Sequence, residues 1–132
     1  MLSSRDVTVL IPIHRDGNRE WLQQAVNSLK GTRVLVLEND GEVAEAYNEG
    51  VRAATTEFVL PFGSDDVALP GFVEFLLGPA WNADVVYPAM ILANSDLTVR
   101  YGLHPADHFC PVRLRDLNFV SGASLIGRSK LL

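Results

Sequence analysis

The chain has 132 residues, enough for one compact domain with a core of its own and too few for two. Its 48% hydrophobic and 20% charged residues are the composition of a soluble globular protein, and no apolar run reaches the length of a membrane span. A formal charge of −5 repels phosphate over most of the surface, which sets nucleic acid aside as a partner. Arg113, Arg115, Arg128 and Lys130 near the C-terminus do not alter this, because with Asp116 among them they read as a solvated face. A single cysteine, Cys110, gives no internal disulfide framework and fits a reducing compartment, so a cytoplasmic location is expected. The apolar start MLSSRDVTVLIPI is short, ends at a proline and leads into HRDGNRE instead of a small-residue cleavage site, so it reads as a strand and not as an export signal.

In chain order, Val7 to Ile13 is a β-branched run with Pro12 near its end, the pattern of a buried strand giving way to a loop. The period then changes. Trp21, Leu22, Ala25, Val26 and Leu29 recur at helical spacing, with Asn18 placed to cap the start and Gly31 to stop the end. Arg33 to Leu37 reads as a second strand, and Val43, Ala44, Tyr47, Val51 and Ala54 predict the apolar stripe of a second helix. Glu57 to Phe62 is a third strand, followed by a short helix expected to begin near Pro70. Asp84 to Leu92 and Thr98 to Tyr101 flank the turn-forming Asn94-Ser95-Asp96 and predict a hairpin. His104 to Pro111 reads as irregular, and Phe119 to Ile126 as a strand leading into a helix near Arg128. Trp21 and Trp81 read as core or helix-face aromatics. There is no internal repeat, low-complexity tract or linker. The β-α-β-α-β alternation predicts an α/β sandwich of nucleotide-binding type: a mostly parallel sheet, helices on both faces, and a C-terminal hairpin, in one domain over residues 1–132.

In an open α/β sheet the ligand crevice lies beyond the carboxyl ends of the strands. Three loops should meet there: IHRDGN, ENDG and GSDD. The adjacent carboxylates of Asp65 and Asp66 repel each other, and both stay ionised most easily beside a divalent cation or donor hydrogens. Hard oxygen ligands suit Mg²⁺ or Mn²⁺, with a substrate's phosphates completing the shell. Taken alone, Ser64, Asp65 and Asp66 would more readily cap the next helix or close a turn. His104, His108 and Cys110 lie close together in H-P-A-D-H-F-C, but their spacing matches no structural zinc pattern. Packing and loop hydrogen bonds account for them best; a loop histidine completing the acidic site is the alternative.

Four stretches, in order, resemble glycosyltransferase family 2, the large inverting group with the GT-A fold. VTVLIPIHR looks like that family's opening strand, and EVAEAYNEGVRAATTEFVLPFGSDDVALPGFVEFL is similar to its helix, acidic-motif strand and following helix. NADVVYPAMIL resembles the next strand, and FVSGASLIGRSKLL the later Ser-Gly strand. Several weak motifs in the right order are more specific than one short pattern. The resemblance implies transfer of a sugar from a nucleoside diphosphate sugar, with a UDP-sugar the expected donor and Mn²⁺ or Mg²⁺ the cofactor. It makes Asp66 the metal ligand, with Asp65 beside it holding ribose or positioning the turn, and sets Pro12 and His14 against the nucleobase. Glu38 and Asp40 are both candidates for the acidic contact to the base, and Asn48 and Gly50 belong to the helix before the motif.

The departures are specific. Gly63 stands where the family usually has Asp, and Tyr47 where an Arg is common. One strand-helix unit before the acidic motif is missing or merged. The family's catalytic base lies in a later segment, so the chain reads as shortened, without the acceptor portion, and its base is unassigned. Asp107 reads as an ordinary loop carboxylate, and Arg128 could meet a diphosphate if its strand returns to the crevice. The acceptor is not legible, and an exposed sheet edge could pair with a second copy. A non-catalytic sugar-nucleotide binding module would keep the same acidic edge. A nucleotidyltransferase would open on a glycine-rich basic loop, which IPIHRDGNRE does not supply, and a receiver domain would need more than Asp16 in the first loop.

Overall fold

A computed structural model describes residues 1–118 and 120–132. The strands are β1 (Val7–Ile13), β2 (Arg33–Glu38), β3 (Phe58–Pro61), β4 (Val85–Val86), β5 (Met90–Ala93), β6 (Arg100–His104) and β7 (Leu125–Gly127). The helices are α1 (Arg19–Ser28), α2 (Val43–Ala53), α3 (Phe72–Ala80) and the single turn α4 (Pro111–Leu114). Five strands form one sheet in the order β2-β1-β3-β7-β4, and β5 and β6 form a separate hairpin. β1 pairs in parallel with β2 and β3, while β7 runs antiparallel to both β3 and β4. This is the α/β architecture expected from the sequence.

β1 is apolar almost throughout because both of its faces are covered. Val7, Val9 and Ile11 pack with Ala25 and Leu29 around α1 and with Val73, Leu76 and Leu77 of α3. Leu10 turns the other way, with Val59, Val51 and Ala54 against α2. Full burial of such side chains contributes about 1.5–3 kcal/mol each, so the two small cores hold the sheet between helices.

Helix boundaries follow local chemistry. The Asn18 side chain accepts from the Trp21 N–H at 3.0 Å and starts α1, and Gly31 adopts φ +86° just past its end. α3 starts at Phe72, close to Pro70 as expected, its first residue set by Gly71, which takes φ +79° immediately before it. In α2 the buried stripe is Ala46, Gly50, Val51 and Ala54. Val43 and Ala44, expected inside, are exposed because contact with the sheet begins one turn later, where Gly50 lies over Leu10 and Leu37.

The span Asp84 to Leu92 is not one strand. Its first part joins the main sheet as β4 and its last part forms β5 in the hairpin, with Pro88, which has no N–H for a ladder, between them. The hairpin turn falls at 94–99 as expected, closed by the Asn94 N–H to the Val99 carbonyl, with Leu97 at φ +62°. The expected strand from Phe119 shortens to β7. Phe119 lies outside the described residues, and Ser121 and Ser124 bond their own loop: Ser121 Oγ accepts from the Ala123 N–H, and Ser124 donates to the Ser121 carbonyl. A 3₁₀ turn at Arg128–Lys130 replaces the expected final helix. Trp21 and Trp81 are both exposed and outside the core, Trp21 on α1 and Trp81 just past the end of α3. Among the described residues no helix is long and apolar enough to cross a membrane.

Candidate functional site

The carboxyl ends of β1, β2 and β3 form one rim. The first two loops are tied together where the strands end. The Asn39 N–H donates to the Ile13 carbonyl at 3.2 Å, extending the parallel pairing by one bond. Asn39 also performs the turn itself, its Oδ1 accepting from the Gly41 N–H at 2.6 Å. That leaves the neighbouring carboxylates free for other partners. Asp40 accepts from the Arg15 main-chain N–H at 3.2 Å, lies 3.5 Å from the Arg15 guanidinium and 3.5 Å from His14 Nε2. Among the described residues Glu38 has one ionic partner, Arg19, at 3.4 Å. Arg19 in turn donates to the Arg15 carbonyl. Exposed pairs of this kind are worth about 0–1 kcal/mol, so they fix the shape of the rim more than they stabilise the fold.

The third loop stays beside β1 through the Phe62 N–H, which donates to the Leu10 carbonyl at 2.9 Å. GSDD then closes a turn, Asp66 N–H to Gly63 carbonyl at 3.2 Å. It does not cap α3, whose cap residue is Gly71 and which receives no side-chain cap bond. Both carboxylates fold back over the glycine: a Cβ built on Gly63 would lie 2.5 Å from Asp66 Oδ2 and 2.9 Å from Asp65 Oδ1. Burial pushes the Asp66 carboxyl above its ordinary range, the Asp65 charge adds to that, and a bond from the Gly63 main chain opposes it. Tyr47 of α2 completes this corner. Its hydroxyl is pushed up by burial and, after that, by the charge of Asp66.

The sequence candidates therefore fall into two groups. His14 and Asp40 meet on one side of the rim, with Glu38 joined to them through Arg19 and Arg15, and Asp65 and Asp66 meet over Gly63 on the other. Pro12 is half-buried in β1 opposite Leu37. Asn48 is exposed on α2, and among the described residues no hydrogen bond ties it to either group. Arg15, Arg19 and Tyr47 are the additions. The two arginines are spaced i, i+4 directly after His14, a signal available in the sequence, and Tyr47 immediately precedes the Asn48 of the motif.

Other candidates are placed elsewhere. Arg128 cannot meet a ligand at the rim, because β7 runs antiparallel and its Gly127 pairs with Phe58 at the start of β3. Its guanidinium instead donates to the Val51 and Arg52 carbonyls near the end of α2. Asp107 is held by Arg113 at 2.9 Å, and its carbonyl accepts from the Tyr87 hydroxyl. Among the described residues no group of three or more His, Cys, Asp or Glu side chains gathers to hold a metal, which sets aside the His104–Cys110 cluster. His104 Nε2 lies 3.2 Å from the Asn118 carbonyl, as loop hydrogen bonding would have it.

Two carboxylates without a third protein ligand fit a Mg²⁺ or Mn²⁺ ion that takes its remaining oxygens from water and substrate phosphates. They do not fit a dedicated all-protein cage. Gly63→Ala tests the arrangement: the new methyl group must displace both carboxylate oxygens, which are free ends able to move at little cost in stability. Cation affinity is expected to fall by roughly 10- to 100-fold with the melting temperature nearly unchanged, read by Mn²⁺ titration and thermal melts.

An α/β sheet with an acidic turn at the carboxyl end of its third strand, and an antiparallel strand inserted beyond it, defines a GT-A-like domain. Residues 14–124 match the model of glycosyl transferase family 2, and the chain belongs to that family. It is also 36% identical to the pre-mycofactocin glycosyltransferases of two strains of Mycobacterium tuberculosis, in an alignment covering 58% of this chain and 21% of each relative. The chain thus spans about a fifth of the length of these curated relatives.

Proposed function

We propose that the domain binds a nucleoside diphosphate sugar through a divalent cation and serves a metal-dependent, inverting glycosyl transfer. One observation carries the reading: the Asp65 and Asp66 oxygens converge over Gly63 at the rim where this fold binds ligands. Asp66, the more buried of the pair, is the principal anchor for Mn²⁺ or Mg²⁺, and Asp65 supplements it or holds the ribose. When bound, the cation neutralises the diphosphate leaving group as a Lewis acid. The chain's own residues position the donor. Pro12 and His14 border the nucleobase side, and Glu38, with a single ionic partner among the described residues, is freer to accept from a base than Asp40, which three groups already hold. Inversion also needs a base within hydrogen-bond reach of the acceptor hydroxyl, and Asp107 is not assigned that role because Arg113 engages its carboxylate. A uridine donor and self-association along the open edge of β2 belong to the same proposal.

A second reading, binding without turnover, is favoured by the lack of a third acidic or histidine side chain beside the Asp pair among the described residues. One experiment separates the readings. UDP is titrated calorimetrically with Mn²⁺ and with EDTA, and a panel of nucleoside diphosphate sugars is assayed for release of the diphosphate. Saturable binding that EDTA abolishes supports the site, and added turnover supports the transferase. UDP affinity that is indifferent to the cation rejects the cation site and with it the metal-dependent transfer, and absence of UDP binding rejects both readings.

A further inference from the structure

Asn39 closes the turn after β2 with its own side chain, so the Asp40 carboxylate is not used in that turn and reaches across to the loop after β1. There Oδ1 accepts from the Arg15 main-chain N–H at 3.2 Å and lies 3.5 Å from His14 Nε2, while Oδ2 lies 3.5 Å from the Arg15 guanidinium. The His14 ring is engaged on its other edge as well. The Asp16 N–H lies 3.3 Å from Nδ1, and because a main-chain N–H can only donate, Nδ1 accepts and the proton of the neutral ring sits on Nε2, toward Asp40. The mostly exposed Asp16 carboxylate, 3.7 Å from Nδ1, meets no proton there in that state. The main chain beneath is wound tightly: the Gly17 N–H donates to the His14 carbonyl at 2.8 Å, and a Cβ at Gly17 would lie 2.5 Å from Ile13 Cγ1. The His14 backbone is thus fixed by its own loop, and among the described residues the group outside that loop that faces its ring is Asp40.

With Nδ1 taken by a main-chain donor and the Nε2 proton facing a carboxylate, both polar edges of the ring are turned to the protein, and its flat face is the surface left for a ligand. A half-exposed histidine in a loop otherwise samples several rotamers, and ordering such a side chain on binding lowers affinity. A ring that is already held avoids that loss. We infer that Asp40 is a positioning residue of the nucleobase side: it does not touch the base, but through its contacts with His14 and Arg15 it holds the His14 ring in place beside it. The inference rests on the nucleobase reading of that side of the rim. It also separates the two acidic candidates by role, Glu38 accepting from the base and Asp40 fixing the residue next to it.

Two measurements on the full chain test this, one of them without ligand. The Asp16 amide keeps its hydrogen bond to the ring only while His14 is in place. Its hydrogen exchange, read by NMR, should quicken several-fold in Asp40→Ala and stay near the unaltered rate in Asp40→Asn, whose carbonyl oxygen still accepts from the Arg15 N–H and from His14 Nε2–H. In calorimetric titrations with Mn²⁺, Asp40→Ala should weaken UDP binding by about three- to tenfold, and Asp40→Asn should restore most of the affinity. A double-mutant cycle separates positioning from direct contact. In a His14→Ala background the further change Asp40→Ala should leave UDP affinity almost unchanged, whereas a carboxylate that touched the base would lower it by the same factor in either background. The inference is overturned if the Asp16 amide exchanges at the same rate in Asp40→Ala, or if the effects of the two replacements add. Failure of the unaltered chain to bind UDP would overturn the proposed function and the nucleobase role with it, and the amide measurement would still decide whether Asp40 holds the ring.

Discussion

Asp66→Ala is expected to lower Mn²⁺-dependent UDP affinity by at least about 100-fold, equivalent to ~2.7 kcal/mol, while the far-ultraviolet spectrum and cooperative melt stay as they were. The loss is large because the cation would keep a single protein carboxylate, Asp65, and the diphosphate depends on the cation for its attachment. The fold survives because Asp66 sits half-exposed in a surface turn, and its removal opens no cavity in either core. Asp66→Asn separates charge from shape. It should lose cation binding as well, and it carries a signature in the metal-free protein. The Asp66 carboxyl titrates above its ordinary range, chiefly from burial and then from the Asp65 charge, so the folded chain holds that proton more tightly than the unfolded chain. Stability of the metal-free protein is therefore greatest in acid with respect to this group, and declines as pH rises from the ordinary carboxylate range through the raised folded value. Thermal melts across that range should show the decline in the unaltered chain and lack it in Asp66→Asn. Unchanged UDP affinity in either variant would place the cation site elsewhere.

The sequence specified most where one physical requirement dominated. β1 was legible to the residue because a strand covered on both faces has to be apolar throughout, and α1 because Asn18 and Gly31 each have one strong local use. Pro70 signalled the start of α3, and Gly71, which takes the left-handed conformation just after it, sets the first residue. Boundaries failed where tertiary context outweighed local preference. Val43 and Ala44 have the right spacing but no sheet beneath them. The split at Pro88 was written in the sequence as a missing donor, but the separate destinations of β4 and β5 depend on β7, which returns from about forty residues later in the chain.

The candidate site was legible as residue types and not as groupings. Asp65 and Asp66 are conspicuous as adjacent like charges, whereas their convergence depends on Gly63, whose missing side chain provides the space. The departure from the family's usual Asp at that position is thus a local exchange: one side chain is absent and two others occupy its volume. Glu38 and Asp40 could not be told apart by sequence because one immediately precedes the Asn-Asp-Gly turn and the other lies within it. Their difference lies in Arg15 and Arg19, which reach them from the preceding loop and helix.

Replacing Leu10 by Ala is expected to cost about 2–5 kcal/mol, because Leu10 is fully buried and its loss leaves a cavity in the smaller core. Gly50→Val is expected to cost about 1–3 kcal/mol for the opposite reason. A Cβ at Gly50 would lie 2.7 Å from Leu37 Cδ1 and 2.9 Å from Leu10 Cδ2, so α2 must lift or both leucines must leave their positions. The double variant should cost less than the sum of the two by about 1 kcal/mol or more, since Val at position 50 enters space that Ala at position 10 vacates. Urea denaturation midpoints with unchanged slope measure all three. Simple additivity would show that α2 does not rest on β1 through this glycine. The contact also bears on ligand binding, because α2 carries Tyr47 one turn before Gly50 and Tyr47 stands within the electrostatic reach of Asp66. Gly50→Val alone should therefore weaken Mn²⁺-dependent UDP binding without touching a carboxylate, and adding Leu10→Ala, which lets α2 settle back onto the sheet, should restore part of it.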